Sequence, residues 1–102
     1  MNKIKNIHPG EILKEEFLIP MNISVYRIAK ETGMSQTRIG QIIKCERSIT
    51  AETALRLGKF FNMEAQFWMN LQSIYDLEEA KDKYQKDIKQ IHNIEELGLL
   101  AV

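Results

Sequence analysis

The sequence has 102 residues and little of what marks a secreted, membrane-bound or metal-dependent protein. It holds one cysteine, Cys45, so no disulfide can form within a chain, which favours a reducing cytoplasm. No apolar run approaches the ~20 residues that a spanning helix requires. The opening MNKIKNIHPG has no apolar stretch of the secretory kind. Two histidines and one cysteine do not compose a zinc pattern. No glycine-rich phosphate loop occurs. Cys45 falls at the end of an expected helix, where the dipole disfavours a thiolate. His8, directly before Pro9, reads as a cap or surface group, and His92 lies in an acidic tail. No catalytic residue, metal or cofactor is therefore expected.

Net charge is also missing: 14 Lys and Arg face 14 Asp and Glu. The distribution is uneven. Residues 1–62 carry 6 Lys and 4 Arg against 6 Glu, a balance of +4. Residues 63–102 carry 4 Lys against 5 Glu and 3 Asp, a balance of −4. A basic half beside an acidic half is compatible with an anionic partner for one and a basic partner for the other.

The pattern that is present is helical. An apolar residue precedes a hydroxyl cap at Ile23-Ser24, Met34-Ser35 and Ile49-Thr50. Such hydroxyls accept from the orphan N–H groups of a first turn, and the preceding apolar side chain can staple onto the turn that follows. Five helices follow. The first runs from about Pro9 to Ile19, with Pro9 suited to the first helical position and Pro20 as the stop. The second covers about Val25–Thr32, the third Gln36–Lys44 and the fourth Ala51–Phe61, with Asn62 as a left-handed terminator. The fifth starts near Glu64. No Gly or Pro interrupts it before Gly98, so it runs past Tyr84. There is no strand-like alternation and no internal repeat.

The segment Ser24–Lys44 carries the functional argument. A small Ala29, a turn residue Gly33 able to take a positive φ, and an inward Ile39 predict two helices meeting at a steep angle. With Ile28, Ile39, Ile42 and Ile43 turned to the core, the third helix presents Gln36, Thr37, Arg38, Gly40, Gln41 and Lys44. Gln can pair with adenine in the major groove, and Thr can meet a base edge or a thymine methyl. Arg38 and Lys44 can reach phosphate or guanine, Ser35 can bind phosphate or cap the helix, and Gly40 removes bulk near the groove. Arg47 and Ser48 precede the next helix N-terminus, which attracts phosphate. The set predicts binding to double-stranded DNA. An ordinary polar corner is the plainer alternative, but it does not need this conjunction of small, turn and apolar residues between two caps.

HPGEILKEEFLIPMNIS, RIAKETGMSQTRIGQII and RSITAETALRLGKFFNMEAQFWMNLQSIYDL together resemble the HigA antitoxins, also called VapI-type plasmid-maintenance antidote proteins. These fall within the Xre-type helix-turn-helix class. The resemblance spans about His8 to Ala80. It implies an all-α fold, a five-helix lambda-repressor-like DNA-binding domain with a helix-turn-helix and an extended C-terminal helix. The whole chain would be one domain, with a core at 8–80 and a helical extension and tail at 81–102. It also implies a homodimer on a palindromic operator, repression of the chain's own operon, and neutralisation of a RelE-like HigB toxin that cuts mRNA. DNA-contact positions would be Ser35, Gln36, Thr37, Arg38, Gln41, Lys44, Arg47 and Ser48. Cys45 stands where the family usually has Gly, Glu46 where it tends to have a basic residue, Asn62 in place of a common Gly and Ala65 in place of a common Pro.

On the fifth helix, Phe67 and Leu71 are expected in the core and Trp68 and Tyr75 at a dimer interface. Leu77, Tyr84 and Ile91 repeat at the seven-residue interval of a helix-on-helix seam. Two other functions fit the residues: a stand-alone Xre-type repressor with no toxin, and a toxin-binding protein whose Cys45 and Glu46 have cost it DNA binding.

Overall fold

Caps written into the sequence divide the chain into helices. The computed structural model describes residues 6–99; of the loose ends that the sequence predicts at Met1–Asn6 and about Asn93–Val102, residues 1–5 and 100–102 lie outside them. Helix α1 spans Pro9–Ile12 and continues without a break as a π-helical stretch, Leu13–Leu18. Helices α2 (Val25–Thr32), α3 (Gln36–Ile43), α4 (Ala51–Phe61) and α5 (Ala65–Lys89) follow. No strand occurs among the described residues. None of their helices is long and apolar enough to cross a membrane.

Each expected cap is in use. Ser24, Ser35 and Thr50 accept from the backbone N–H of Arg27, Arg38 and Thr53 at 3.0, 3.0 and 3.3 Å. Such caps stabilise by about 0.5–2 kcal/mol each. Gly33 (φ 74°) ends α2 and Asn62 (φ 56°) ends α4, both left-handed as the sequence predicts. Helix α5 is kinked at a non-helical residue, Tyr84, at φ −109°, ψ 16°.

The first helix departs from expectation in its second half. Ile19 N–H bonds to Lys14 C=O at 3.0 Å and Ile23 N–H to Leu18 C=O at 2.9 Å, each reaching back five residues. Leu13 and Leu18, also five apart, are both buried. The wider turn aligns them on one face, which a regular α-helix would not do.

The core joins all helices: Leu13, Ile28, Ile39, Ile42, Ile49, Leu57 and Trp68 are almost wholly excluded from water. Full burial of such side chains contributes about 1.5–3 kcal/mol each. Trp68 corrects an expectation. It is 0 % exposed within its own subunit, so it cannot form a dimer interface. Its ring lies 5.0 Å from Phe17 and 5.1 Å from Phe67 between ring centres, enclosed by the aromatic cluster of the first helix and α4. Phe67, expected inside, is 38 % exposed at the rim of that cluster. The rotation of α5 against α4 decides between neighbours, and it turns the larger ring inward.

His8 is the N-cap of α1, its Nδ1 accepting from Gly10 N–H at 2.9 Å, and it is buried rather than on the surface. Its ring meets Tyr75 of α5 edge-on, 4.9 Å between centres. Gly10 then sits against the end of α3: a Cβ there would overlap the Ile42 carbonyl oxygen and lie 2.6 Å from the carbonyl carbon. The HPG stretch thus docks the first helix directly onto the helix that carries the candidate site.

Candidate nucleic-acid interface

Helices α2 and α3 meet at Ala29 and Gly33. Gly33 N–H and Met34 N–H both bond to Ala29 C=O, at 3.0 and 3.1 Å, which closes α2 and reverses the chain. Arg56 of α4 donates from Nη1 to Thr32 C=O at 2.8 Å and so holds the end of α2. A Cβ on Gly33 would lie 3.0 Å from that guanidinium, so glycine serves both the left-handed turn and the clamp. Ile39 and Ile42 are fully buried and fix the rotation of α3.

That rotation exposes Gln36, Thr37 and Lys44, half-exposes Gly40 and Gln41, and leaves Ser35, Arg47 and Ser48 on the surface beside them. Gln36, Thr37, Gly40, Gln41 and Lys44 share one face of α3 by helical period, opposite the buried Ile39 and Ile42. The Ser35 hydroxyl is occupied as a cap. Gln36 and Thr37, in the first turn of α3, are exposed, as are the cations Lys44 and Arg47.

Arg38 is a second correction. Its guanidinium turns back to α4, donating to Thr53 Oγ1 at 2.6 Å and to Glu52 Oε1 at 3.4 Å, and its side chain is only 21 % exposed. Glu52 also pairs with Arg56 at 3.0 Å. The Arg56 guanidinium first, and Arg38 with it, holds the Glu52 carboxyl below its ordinary range. Two arginines and one carboxylate therefore lock α2 and α3 onto α4. Arg38 orients the reading helix rather than reaching out from it.

The segment after α3 is bent by Cys45, at φ 65°. The left-handed conformation is kept without the glycine that would adopt it freely, so the backbone is strained here. Glu46 N–H returns to Gln41 C=O at 2.9 Å, and Ile49 N–H bonds to Gln72 Oε1 of α5 at 2.7 Å. Gln72 is not legible in the sequence, because polar residues on a long helix are ordinarily solvated. Its position one residue past the apolar Leu71 was the available signal. Tyr26 and Lys30 add to this surface from α2. They are exposed one turn apart on α2 and line, with Ser35 and Gln36, an open groove of about 450 Å³ beside the start of α3. The first helix of such a pair crosses the DNA backbone, a place where Tyr26 and Lys30 can bind phosphate.

A five-helix fold with this corner defines a helix-turn-helix DNA-binding protein. A helix-turn-helix family model matches residues 13–68. Virulence-associated protein I of Dichelobacter nodosus is 48% identical over 84 residues, 82% of this chain and 78% of its own length. The structure of Pseudomonas aeruginosa antitoxin HigA with higBA promoter superposes with a TM-score of 0.85 at 42% identity, over 88% of this chain and 99% of that one. A Coxiella burnetii addiction module antidote protein of the HigA family gives a TM-score of 0.82 at 43% identity, over 88% and 99%. The chain belongs to the HigA antitoxin family of helix-turn-helix proteins. This is a family of DNA-binding regulators and antitoxins, not a class of enzyme.

Proposed function

We propose that this chain is a dimeric antitoxin that binds the operator of its own toxin–antitoxin operon and neutralises a RelE-like, mRNA-cleaving HigB toxin. The observation that carries the DNA arm is the outward first turn of α3, with Gln36 and Thr37 exposed and Lys44, Arg47 and Ser48 around them. The related Pseudomonas aeruginosa HigA, whose structure includes higBA promoter, supports operator binding. Family membership supports the toxin arm. Such a role is a cytoplasmic one.

One helix-turn-helix reads too few base pairs for a specific site, so two copies are needed. Tyr75 is half-buried on α5 and borders an apolar groove of about 450 Å³ with Ile7, Ile12, Leu71 and Ile74. That groove is the surface on which the second copy would sit. Trp68 has no part in it.

The test is a mobility shift on the duplex upstream of the chain's own gene, beside a co-expression rescue from the adjacent toxin gene. Gln36→Ala is expected to cost about 1–3 kcal/mol on the operator and to relax one base position. Equal loss on random DNA would make Gln36 a backbone contact. Binding without rescue would leave a stand-alone repressor, and rescue without binding a toxin inhibitor alone.

A further inference from the structure

Arg47 and Ser48 are exposed between two backbone anchors. On one side Glu46 N–H bonds to Gln41 C=O at 2.9 Å, within the end of α3. On the other, Ile49 N–H bonds to Gln72 Oε1 at 2.7 Å. Only residues 47 and 48 lie between. The second anchor comes from α5, outside the helix-turn-helix.

We propose that Gln72 is a positioning residue for operator binding, setting the pose of the Arg47–Ser48 segment from inside the fold. The proposal rests on the operator-binding reading above. Gln72 is 5 % exposed and so cannot touch DNA itself. Its amide is oriented at both ends: Oε1 accepts from Ile49, and Nε2 donates to Asp76 Oδ1 at 2.8 Å, one turn further along α5. The Asp76 carboxylate can only accept, so it selects the amide orientation that points the carbonyl at the loop. Ile49 is itself 2 % exposed, and its N–H has no route to water while its side chain remains in the core. A buried N–H without an acceptor is costly. Without Gln72 the segment opens until that N–H is hydrated, and Arg47 and Ser48 leave the positions from which two phosphates could be met. If Gln72 merely fills the core, its loss lowers stability and leaves binding by the folded protein unchanged.

The experiment compares four full-length chains on the duplex upstream of their own gene: wild type, Gln72→Leu, the Arg47→Ala and Ser48→Ala double variant, and the triple variant. Affinity is measured across a salt series, well below each melting temperature. Gln72→Leu is expected to flatten the slope of log K against log salt by about 0.9 per bound copy, the loss of the Arg47 charge at a phosphate, and so by about 1.8 for two copies on one operator. In the double-variant background the same change should alter affinity by less than about twofold, because its targets are already gone. A wild-type slope for Gln72→Leu, or a triple variant weaker than the double by the whole Gln72 effect, overturns the proposal. Should Gln72→Leu fail to fold, Gln72→Met, close in shape but without the amide acceptor for Ile49 N–H, takes its place, and an unchanged slope there overturns it equally. Amide exchange at Ile49 reads the pin without DNA. A wild-type chain that does not prefer its upstream duplex sinks the operator reading itself, while selectively faster exchange at Ile49 in Gln72→Leu would still show the loop to be pinned.

Discussion

Gly10→Ala adds one methyl group where the first helix meets the end of α3. The new Cβ would overlap the Ile42 carbonyl oxygen, lie 2.6 Å from the Ile42 carbonyl carbon and 3.1 Å from His8 Nδ1. Carbon contacts are comfortable at about 3.5–4.0 Å, and the carbonyl oxygen is nearer still, so the two backbones must part by more than about 1 Å. Overpacking of this kind costs about 1–3 kcal/mol, and the upper end applies because the obstacle is backbone and not a side-chain tip. The helix propensity gained by alanine returns less than about 1 kcal/mol. A net loss of about 2–3 kcal/mol corresponds to a melting temperature lower by roughly 8–24 °C for a domain of this size. Thermal unfolding followed by circular dichroism measures it. Because Ile42 lies in the helix that presents Gln36 and Thr37, operator affinity should also fall at temperatures where the variant is folded. A melting temperature within about 4 °C of wild type would refute the close docking of the two helices.

Gly40→Ala is the counterpart: no heavy atom lies within 4 Å of its added Cβ, so stability should hold or rise by up to about 1 kcal/mol. Operator affinity should fall as the methyl meets the groove, and undiminished affinity would move α3 away from the DNA. Burial draws the His8 imidazole below its ordinary value of 6.5, with the Asp76 carboxylate opposing more weakly. A proton on Nδ1 removes the acceptor for Gly10 N–H. The unfolded chain therefore binds the proton more readily, and the stability His8 contributes is complete above pH 6.5 and lost as the pH falls below it. Urea midpoints should drop between about pH 7 and pH 5 in wild type and drop less in His8→Asn, which retains a cap without the titration. Equal drops would acquit His8. Cys45→Gly relieves a left-handed residue worth about 1–2 kcal/mol against an entropic cost of about 0.5–1 kcal/mol. Its melting temperature should rise by a few degrees, and a fall would mean that the Cys45 side chain packs usefully.

The parts of the fold legible in the sequence are those settled within a turn of chain. Ser24, Ser35 and Thr50 each cap from three residues away, and Gly33 and Asn62 carry their left-handed preference with them. What was not legible depends on distant geometry. The π-helical stretch arises because Leu13 and Leu18 must reach the same core. Trp68 and Phe67 exchange expected places through the rotation of α5 on α4. Arg38 looks like a DNA contact on any helical projection. Only the approach of Thr53, fifteen residues on, turns it inward. Gln72 acts on a loop twenty-three residues earlier, so nothing local announces it. In the candidate site, the exposed Gln36, Thr37 and Lys44 follow from helical period alone. The partition between side chains that reach outward and those that hold the helix in place does not.

That partition sets how strongly salt should weaken the complex. The basic half of the chain has ten cations, but Arg38 and Arg56 are engaged with Glu52 and Arg27 with Glu31. On the face formed by α2, α3 and the following loop, Lys30, Lys44 and Arg47 remain exposed with no ion pair recorded among the described residues. Three phosphate contacts per copy give a slope of log K against log salt of about −2.7, and two copies on one operator give about −5. Raising salt from about 50 to about 200 mM should then weaken a dimer complex about a thousandfold and a single copy about fortyfold. Glu46, beside Arg47, can only reduce these figures. A slope near −3 would refute two engaged subunits whatever the state of the free protein. A slope beyond about −9 would instead bring in cations outside this face, and Lys81, Lys83, Lys86 and Lys89 on the distal part of α5 are the ones to replace first.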